Sequence, residues 1–507
     1  MNSLLLIIDV GTTSVKVVVF DSHGRPVSTS SAAYRTDYPH SGWAEQNPRA
    51  YWEAAVLAVR KLDLAGKSIA GIGVSGHMNG CLVVDADGVP THPHIIHSDT
   101  RSTDECAHIV SLWGQPELYR RTKNRMDEHL SLPKLLWIKR NRQEAISPSA
   151  WFLNAKDYVR YRLTNKLGTT DYSDASLTGA FNQDTRTWDN EIIESLQLPL
   201  SIFPEVHTST EIAGTLTGEA ARLLGLSAGI PVAYGGGDAS CATRGAGIMD
   251  LGQAYAAVGS SAWLSTLAKE PVVDSTMRMQ HFYDLEGALC NVCGTVQSAG
   301  SALDWVRDLL LPSRVEGRGV SHDEVELLLD RIPIGSTGVL FLPYLMGERT
   351  PHWDAGARGA FIGLSLATDR ETVLRATYEG ISFALTDIMQ VYTDLHIPIE
   401  HCKVLGGAAR SRFWQQMLAE TWGMPVTVHA NPGQATALGC AYATGVAIGF
   451  WTTLREAITS TQQDEVVVYP DIERIEVYRR VYAVYRESYP ALKGIYHQLV
   501  QLRDMGH

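Results

Sequence analysis

Residues 4–21 read LLLIIDVGTTSVKVVVFD, and the division of that stretch decides the fold. Two short apolar runs rich in Ile and Val flank Gly11-Thr12-Thr13-Ser14, and runs of this length bounded by turn residues are strands rather than helices. The reading is a β-hairpin with glycine and hydroxyls at its tip, closed by Ser22, His23 and Gly24. The first run is too short to cross a bilayer and is broken by Asp9, so it is expected to be a buried strand with no membrane partner. The theme returns at residues 254–268, AYAAVGSSAWLSTLA, with Gly259-Ser260-Ser261 as the second tip. Two such hairpins half a chain apart predict an internal duplication. A chain of 507 residues exceeds one hydrophobic core, so two domains are expected, 1–247 and 248–507, the second ending in a helical, charged appendage from about 450. Strands such as IAGIGVSG, ending at Gly76, alternate with helical stretches at Leu132–Asn141 and Trp151–Leu163, which makes the class mixed α/β.

Composition narrows the function. A net charge of −12 argues against nucleic acid as a partner, because such binders carry a basic face. Seven cysteines without regular spacing do not form a disulfide framework, so a reducing, cytoplasmic location is expected. Cys290 and Cys293 make one C-x-x-C with no second pair at zinc-ligand spacing, and are read as packed thiols.

The tips carry the chemistry. Gly11, Thr12 and Thr13 suit phosphate, because glycine permits close backbone approach while N–H groups and hydroxyls donate; Lys16 adds a cation. Asp9 ends a hydrophobic strand, where a carboxylate either caps the turn or holds Mg²⁺ through water. Gly259, Ser260 and Ser261 would grip the same polyphosphate. In KVLGGAARSRFWQQMLAE a strand enters a helix through Gly406 and Gly407, a tight connection or, with Ala408, a surface for adenine or ribose. Asp238 follows Gly235-Gly236-Gly237 at a strand end. It is either the N-cap of a helix over 239–244 or the single base that phosphoryl transfer to an alcohol requires.

These segments, with GWAEQNPRAYW (42–52), GIGVSGHMNG (71–80), LSLPKLLWIKRN (130–141), GERTPHWDAGARGAFIGLSLATDRE (347–371), YEGISFAL (378–385) and ATALGCAYATG (435–445), cover nearly the whole chain. In that order they resemble the FGGY carbohydrate kinase family, most of all its xylulokinase branch. The resemblance implies two actin-like (ribonuclease H-like) ATPase domains with ATP and Mg²⁺ in a cleft and a small sugar bound mainly by the first. It makes Asp238 the general base, assigns Asp9 to the metal and the Thr12 and Ser260 tips to phosphates, and gives Gly406 and Gly407 to adenosine. D-xylulose, converted to its 5-phosphate, is the implied substrate; a homodimer is compatible with the reading.

Substrate contacts are expected from His77, Met78, Asn79, His97, Asp99 and His129. The branch usually reads SGQMHG where this chain has SGHMNG, has Trp-Asn where His97-Ser98 precedes Asp99, and has Asn at the position of Ala239. These departures keep L-xylulose, ribulose and gluconate open as substrates. An actin-like nucleotide-dependent binding module is the reading outside enzymes.

Overall fold

A computed structural model describes residues 3–505 apart from 65, 148–149, 311–321, 429–432 and 462–464. The chain forms two compact units. The first comprises residues 1–249, 268–292 and 434–462, and the second 250–267, 293–433 and 463–507.

The opening hairpin, Ser3–Val10 and Ser14–Phe20, sits in the middle of the first unit's sheet. Its strand order is Ile212–Thr215, Pro231–Ala233, Ser68–Gly76, Ser3–Val10, Ser14–Phe20, Pro26–Ala33, with Gly236–Gly237 also on Ser68–Gly76. Ser3–Val10 runs parallel to Ser68–Gly76 and antiparallel to Ser14–Phe20. Successive side chains of a strand point to opposite faces, so an unbroken apolar strand needs cover on both. Leu4, Leu6, Ile8 and Val10 enter one core with Tyr51, Ala55 and Val59 of the Pro48–Arg60 helix and Tyr158 and Val159 of the Ala155–Thr164 helix. Leu5, Ile7, Val18 and Phe20 enter another with Leu438, Cys440 and Ala441 of the Ala435–Ala447 helix and with Trp451 and Leu454. That helix lies so close that a Cβ on Gly73 would stand 2.0 Å from Thr444 Oγ1.

Trp151–Leu163 is not one helix. Trp151–Leu153 pairs antiparallel with Leu82–Val84, and the helix starts at Ala155, where Asp157 Oδ2 accepts the free N–H of Asn154 at 3.1 Å.

The second unit repeats the plan. Gln253–Val258 and Ala262–Ala268 form its hairpin, and Gln253–Val258 runs parallel to His401–Gly406, which runs parallel to Val426–Val428; Val466–Val468 closes that edge antiparallel. The 25-residue Arg370–Asp394 helix is tied to the hairpin by Tyr392, whose hydroxyl donates to the Leu264 carbonyl at 2.7 Å. After Gly406 a single 3₁₀ turn, Ala408–Arg410, precedes the Arg412–Trp422 helix, which starts where Ser411 Oγ accepts the Trp414 N–H at 2.9 Å. From residue 450 the chain is helical at Leu454–Thr461 and Ile472–Met505, with one short strand between them.

Candidate active site

In the first unit, three parallel strands end side by side. Register places Asp9 beside Ser75 and Ser75 beside Gly236, then Val10 beside Gly76 and Gly76 beside Gly237. The residues that follow are His77, whose N–H donates to the Val10 carbonyl at 3.0 Å, and Asp238. Carboxyl ends of parallel strands are where open α/β sheets leave room for ligands.

Asp9 accepts the Ser75 hydroxyl at 2.7 Å and faces Lys16 across the hairpin. Burial raises its pKa, opposed by Ser75 and by the Lys16 charge. Lys16 is lowered, by burial first, with Asp9 opposing. Asp238 is the first residue of the Asp238–Gly245 helix rather than its cap, and its Oδ1 takes only the next N–H, from Ala239, at 2.7 Å. Burial, then the charge of Asp9, pushes it up to about 7, against that one hydrogen bond.

The glycines before Asp238 are demanded by packing. Gly235 has a φ of +67°, and a Cβ there would stand 1.9 Å from the Val74 carbonyl oxygen. A Cβ on Gly237 would strike the Met78 side chain at 2.6 Å, so Met78 lies against the backbone that presents Asp238. The Gly237 N–H donates to Ser173 Oγ at 2.8 Å, and Ser173 donates in turn to Asp171. Asp171 belongs to a buried cluster in which Lys156 Nζ meets Asp157, Asp171 and Asp174 at 2.8, 2.9 and 3.0 Å, while Arg160 pairs with Asp157. Two cations face three carboxylates. Burial first, then the neighbouring Asp171 and Asp157, raises the pKa of Asp174, against the opposing charge of Lys156. This anchor is not legible from the chain alone, since Lys156 and Asp157 opening a helix look like a solvated face.

Among the expected sugar contacts, His77 is buried, burial lowers it to about 4, and neither ring nitrogen has a hydrogen-bond partner among the described residues. Its ring stacks on His94 at 5.2 Å and lies 6.0 Å from that of His97. Asn79 has a φ of +64° and an unpartnered, buried Oδ1. Asp99 is engaged elsewhere, accepting the Ala44 N–H and a forked Arg101 guanidinium that also reaches Glu45 at 2.6 Å and stacks on Trp43. His129 turns its ring toward Asp127 at 3.5 Å. A cavity of about 460 Å³ elsewhere in this unit, lined by Trp52, Tyr161 and Arg162 among others, contains none of the expected residues.

In the second unit a cavity of about 450 Å³ brings together Gly259, Ser260 and Gly407, with Gly300, Tyr378, Arg410 and Trp414 around them. Tyr378 meets Trp414 edge to face at 4.9 Å. The tip is fixed through its backbone: Gly259 O accepts from Gly300 N at 2.8 Å, and Ser260 O accepts from Ala299 N and Ser301 Oγ at 2.9 and 2.8 Å. The volume lies in the usual range of small-ligand sites. Cys290 and Cys293 are buried free thiols on one strand.

Two units repeating one strand plan, each with a glycine-hydroxyl tip where a hairpin strand meets its parallel neighbour, define the actin-like ATPase class of folds. Residues 4–245 match the N-terminal domain, and residues 254–448 the C-terminal domain, of the FGGY family of carbohydrate kinases, and the chain belongs to that family. It is 30% identical over 492 residues to the xylulose kinase of Bacillus subtilis, covering 96% of this chain and 97% of that one. It is also 30% identical over 455 residues to the gluconokinase of the same organism, covering 88% of each. Among solved structures, the ligand-bound xylulose kinase from Lactobacillus acidophilus aligns with a TM-score of 0.90 at 26% identity, covering 98% of this chain and all of that one. The protein is a sugar kinase, and ATP is the phosphoryl donor its family implies.

Proposed function

We propose that the enzyme phosphorylates a neutral ketopentose, D-xylulose first, with Asp238 as the general base. The observation that carries this is Asp238 itself: a carboxylate at a strand end, raised to about 7, whose side chain accepts, among the described residues, from its own helix start. A base poised near the operating pH is matched to taking a hydroxyl proton. The sugar oxygen attacks the terminal phosphorus of ATP, the bond to the bridging oxygen breaks to leave ADP, and the proton passes to Asp238. The Gly11, Thr12 and Thr13 tip and Lys16 take phosphate oxygens; the cavity beside Gly259, Ser260, Gly406, Gly407 and Ala408 takes the nucleoside, with Ser261 at its tip.

Mg²⁺ belongs to the same proposal, with Asp9 as its protein ligand. Among the described residues no group of three His, Cys, Asp or Glu forms a cage. One carboxylate suits an ion that keeps waters and takes its remaining ligands from phosphate. Bound there, it would neutralise charge developing on the transferred group.

The gluconokinase relative makes a sugar acid the competing substrate. A sugar carboxylate requires a free cation, and the cations near Ser75–Gly80 are already engaged: Lys16 faces Asp9, Lys156 meets three carboxylates, Lys134 donates to the Glu128 and Leu130 carbonyls, and Arg101 is held by Asp99 and Glu45. That favours His77, Met78, Asn79, His97 and His129 as the surroundings of a neutral polyol, with Asp99 committed to Ala44 and Arg101 instead. The reducing cytoplasm is the proposed location, in keeping with seven free thiols. An ADP-coupled assay of D-xylulose, L-xylulose, D-ribulose and gluconate tests the reading. D-xylulose is expected to give the highest kcat/KM, and a higher value for gluconate than for every ketopentose overturns it.

A further inference from the structure

Beside the sugar-side strand ends runs a buried chain of hydrogen bonds whose direction is set at one end. The Thr12 carbonyl oxygen can only accept, so the group 2.6 Å from it is the amide nitrogen of Gln46, which also donates to Thr36 Oγ1 at 2.7 Å. That orientation turns Gln46 Oε1 to the Tyr51 hydroxyl, 2.6 Å away. An amide oxygen only accepts, so Tyr51 uses its single proton there. The Tyr51 oxygen also lies 2.7 Å from His94 Nδ1, and with its proton directed at Gln46 it can only accept. His94 Nδ1 therefore carries the hydrogen. The imidazole is fully buried, and burial, followed by the neighbouring His77 and His97, holds it far below the usual histidine range. It is neutral, with the proton on Nδ1 and a bare lone pair on Nε2.

The far end of the chain reaches the segment Ser75–Gly80 in two ways. His94 Nε2, without a hydrogen-bond partner among the described residues, lies against Gly80, where a Cβ would stand 2.0 Å from it. The His94 ring is also the face on which His77 stacks. Hydrogen bonds in series polarise one another, so a change at one end is felt at the other.

We infer that His94, Tyr51 and Gln46 are positioning residues forming a one-way relay that couples occupancy of the sugar segment Ser75–Gly80 to the phosphate tip at Thr12. The inference rests on the proposed roles of those two segments. Without the relay both ligands still bind, each indifferent to the other; with it, bound sugar tightens ATP.

Two measurements test it. Histidine-selective ¹⁵N NMR of the wild-type enzyme, with His94 assigned by loss of its signals in His94→Asn, is expected to show a neutral ring in the Nδ1–H tautomer. An Nε2–H tautomer or a charged ring at pH 6 overturns the relay, and this readout needs no substrate. Second, the Kd of a nonhydrolysable ATP analogue is measured with and without whichever sugar of the panel gives the highest kcat/KM, so an incorrect choice of sugar leaves the test intact. Tyr51→Phe is expected to abolish the tightening by sugar, raising the analogue Kd about tenfold in its presence and less than twofold in its absence. His94→Asn, which keeps an N–H where Nδ1 stood but removes the Nε2 and the ring that meet Ser75–Gly80, is expected to lose the coupling as His94→Leu does, with the analogue Kd in the absence of sugar raised less than twofold in both. Coupling retained in His94→Asn or His94→Leu, or an equal rise in Kd with and without sugar in Tyr51→Phe, reduces the chain to a structural contact and overturns the inference.

Discussion

The two hairpins share a backbone and differ in charge. In the first, Asp9 and Lys16 face each other across the strands just below the tip; the second has buried Ala257 facing half-buried Trp263 at the equivalent places. The strand beside the first hairpin brings Ser75 and then His77, and Asp238 follows the next; beside the second hairpin come Leu405, Gly406 and Gly407. One duplicated scaffold thus presents a charged, hydrogen-bonding edge in the first unit and an edge of glycine and backbone in the second. Backbone conformation is what both copies keep, because glycine at the turns is a steric requirement. Charge is free to diverge, because a carboxylate at a strand end contributes nothing to the packing of the sheet.

The most damaging way to break this asymmetry is to neutralise the acidic edge. Asp238→Asn should lower kcat by two to four orders of magnitude, about 3 to 5 kcal/mol of transition-state stabilisation, with nucleotide binding retained by calorimetry. Its effect on stability has a definite sign. The folded pKa of about 7 lies above the unfolded carboxylate value, so Asp238 contributes stability below about pH 4 that is lost as pH rises toward 7. Asp238→Asn should therefore raise the melting temperature relative to wild type more at pH 8 than at pH 5, and a smaller gain at pH 8 would contradict the raised pKa.

Asp9→Asn should cost about 10²-fold in kcat, roughly 3 kcal/mol, by weakening the hold on metal and phosphate. Because the Asp9 charge helps raise Asp238, the same change should also move the acidic limb of the pH–kcat/KM profile to lower pH. An unmoved limb would mean that another group sets it.

The shared backbone should respond equally in both units. Gly406 has a φ of +74°, and a Cβ would stand 2.3 Å from the Val258 carbonyl oxygen, the same device as Gly235 against Val74. Gly406→Ala and Gly235→Ala should each cost about 2 kcal/mol or more in urea unfolding. The smallest effect belongs to the tip hydroxyls. Ser260→Ala should raise the KM for ATP about fivefold, about 1 kcal/mol, with kcat little changed. A fall in kcat without change in KM would move Ser260 from binding to the reacting group.

The hairpins were legible in the sequence because unbroken runs of Leu, Ile and Val between turn residues admit few other structures. So was the position of Asp9 at the end of one strand and of Asp238 after another. What the sequence withheld depends on partners distant along the chain. Gln46, Tyr51 and His94 look like ordinary polar and aromatic residues until the fold places them in one line, and Lys156 looks like a surface lysine until three carboxylates surround it. Trp151–Leu153 was misjudged for the same reason: its apolar run suits a helix as well as a strand, and Leu82–Val84 decides between them.

The Ala435–Ala447 helix completes the first unit with residues made hundreds of positions after the strands it covers. Until the ribosome has released that helix, Leu5, Ile7, Val18 and Phe20 lack most of their cover on one face of the sheet, with Cys241 and Leu285 the earlier partners. Contacts of such sequence separation are slow to form, and exposed apolar sheet in the meantime invites aggregation. The first domain to be translated is therefore among the last to finish folding. A stop codon anywhere before the Ala435–Ala447 helix should yield not a half-enzyme with an intact sugar side, but a sticky nascent chain for chaperones to hold.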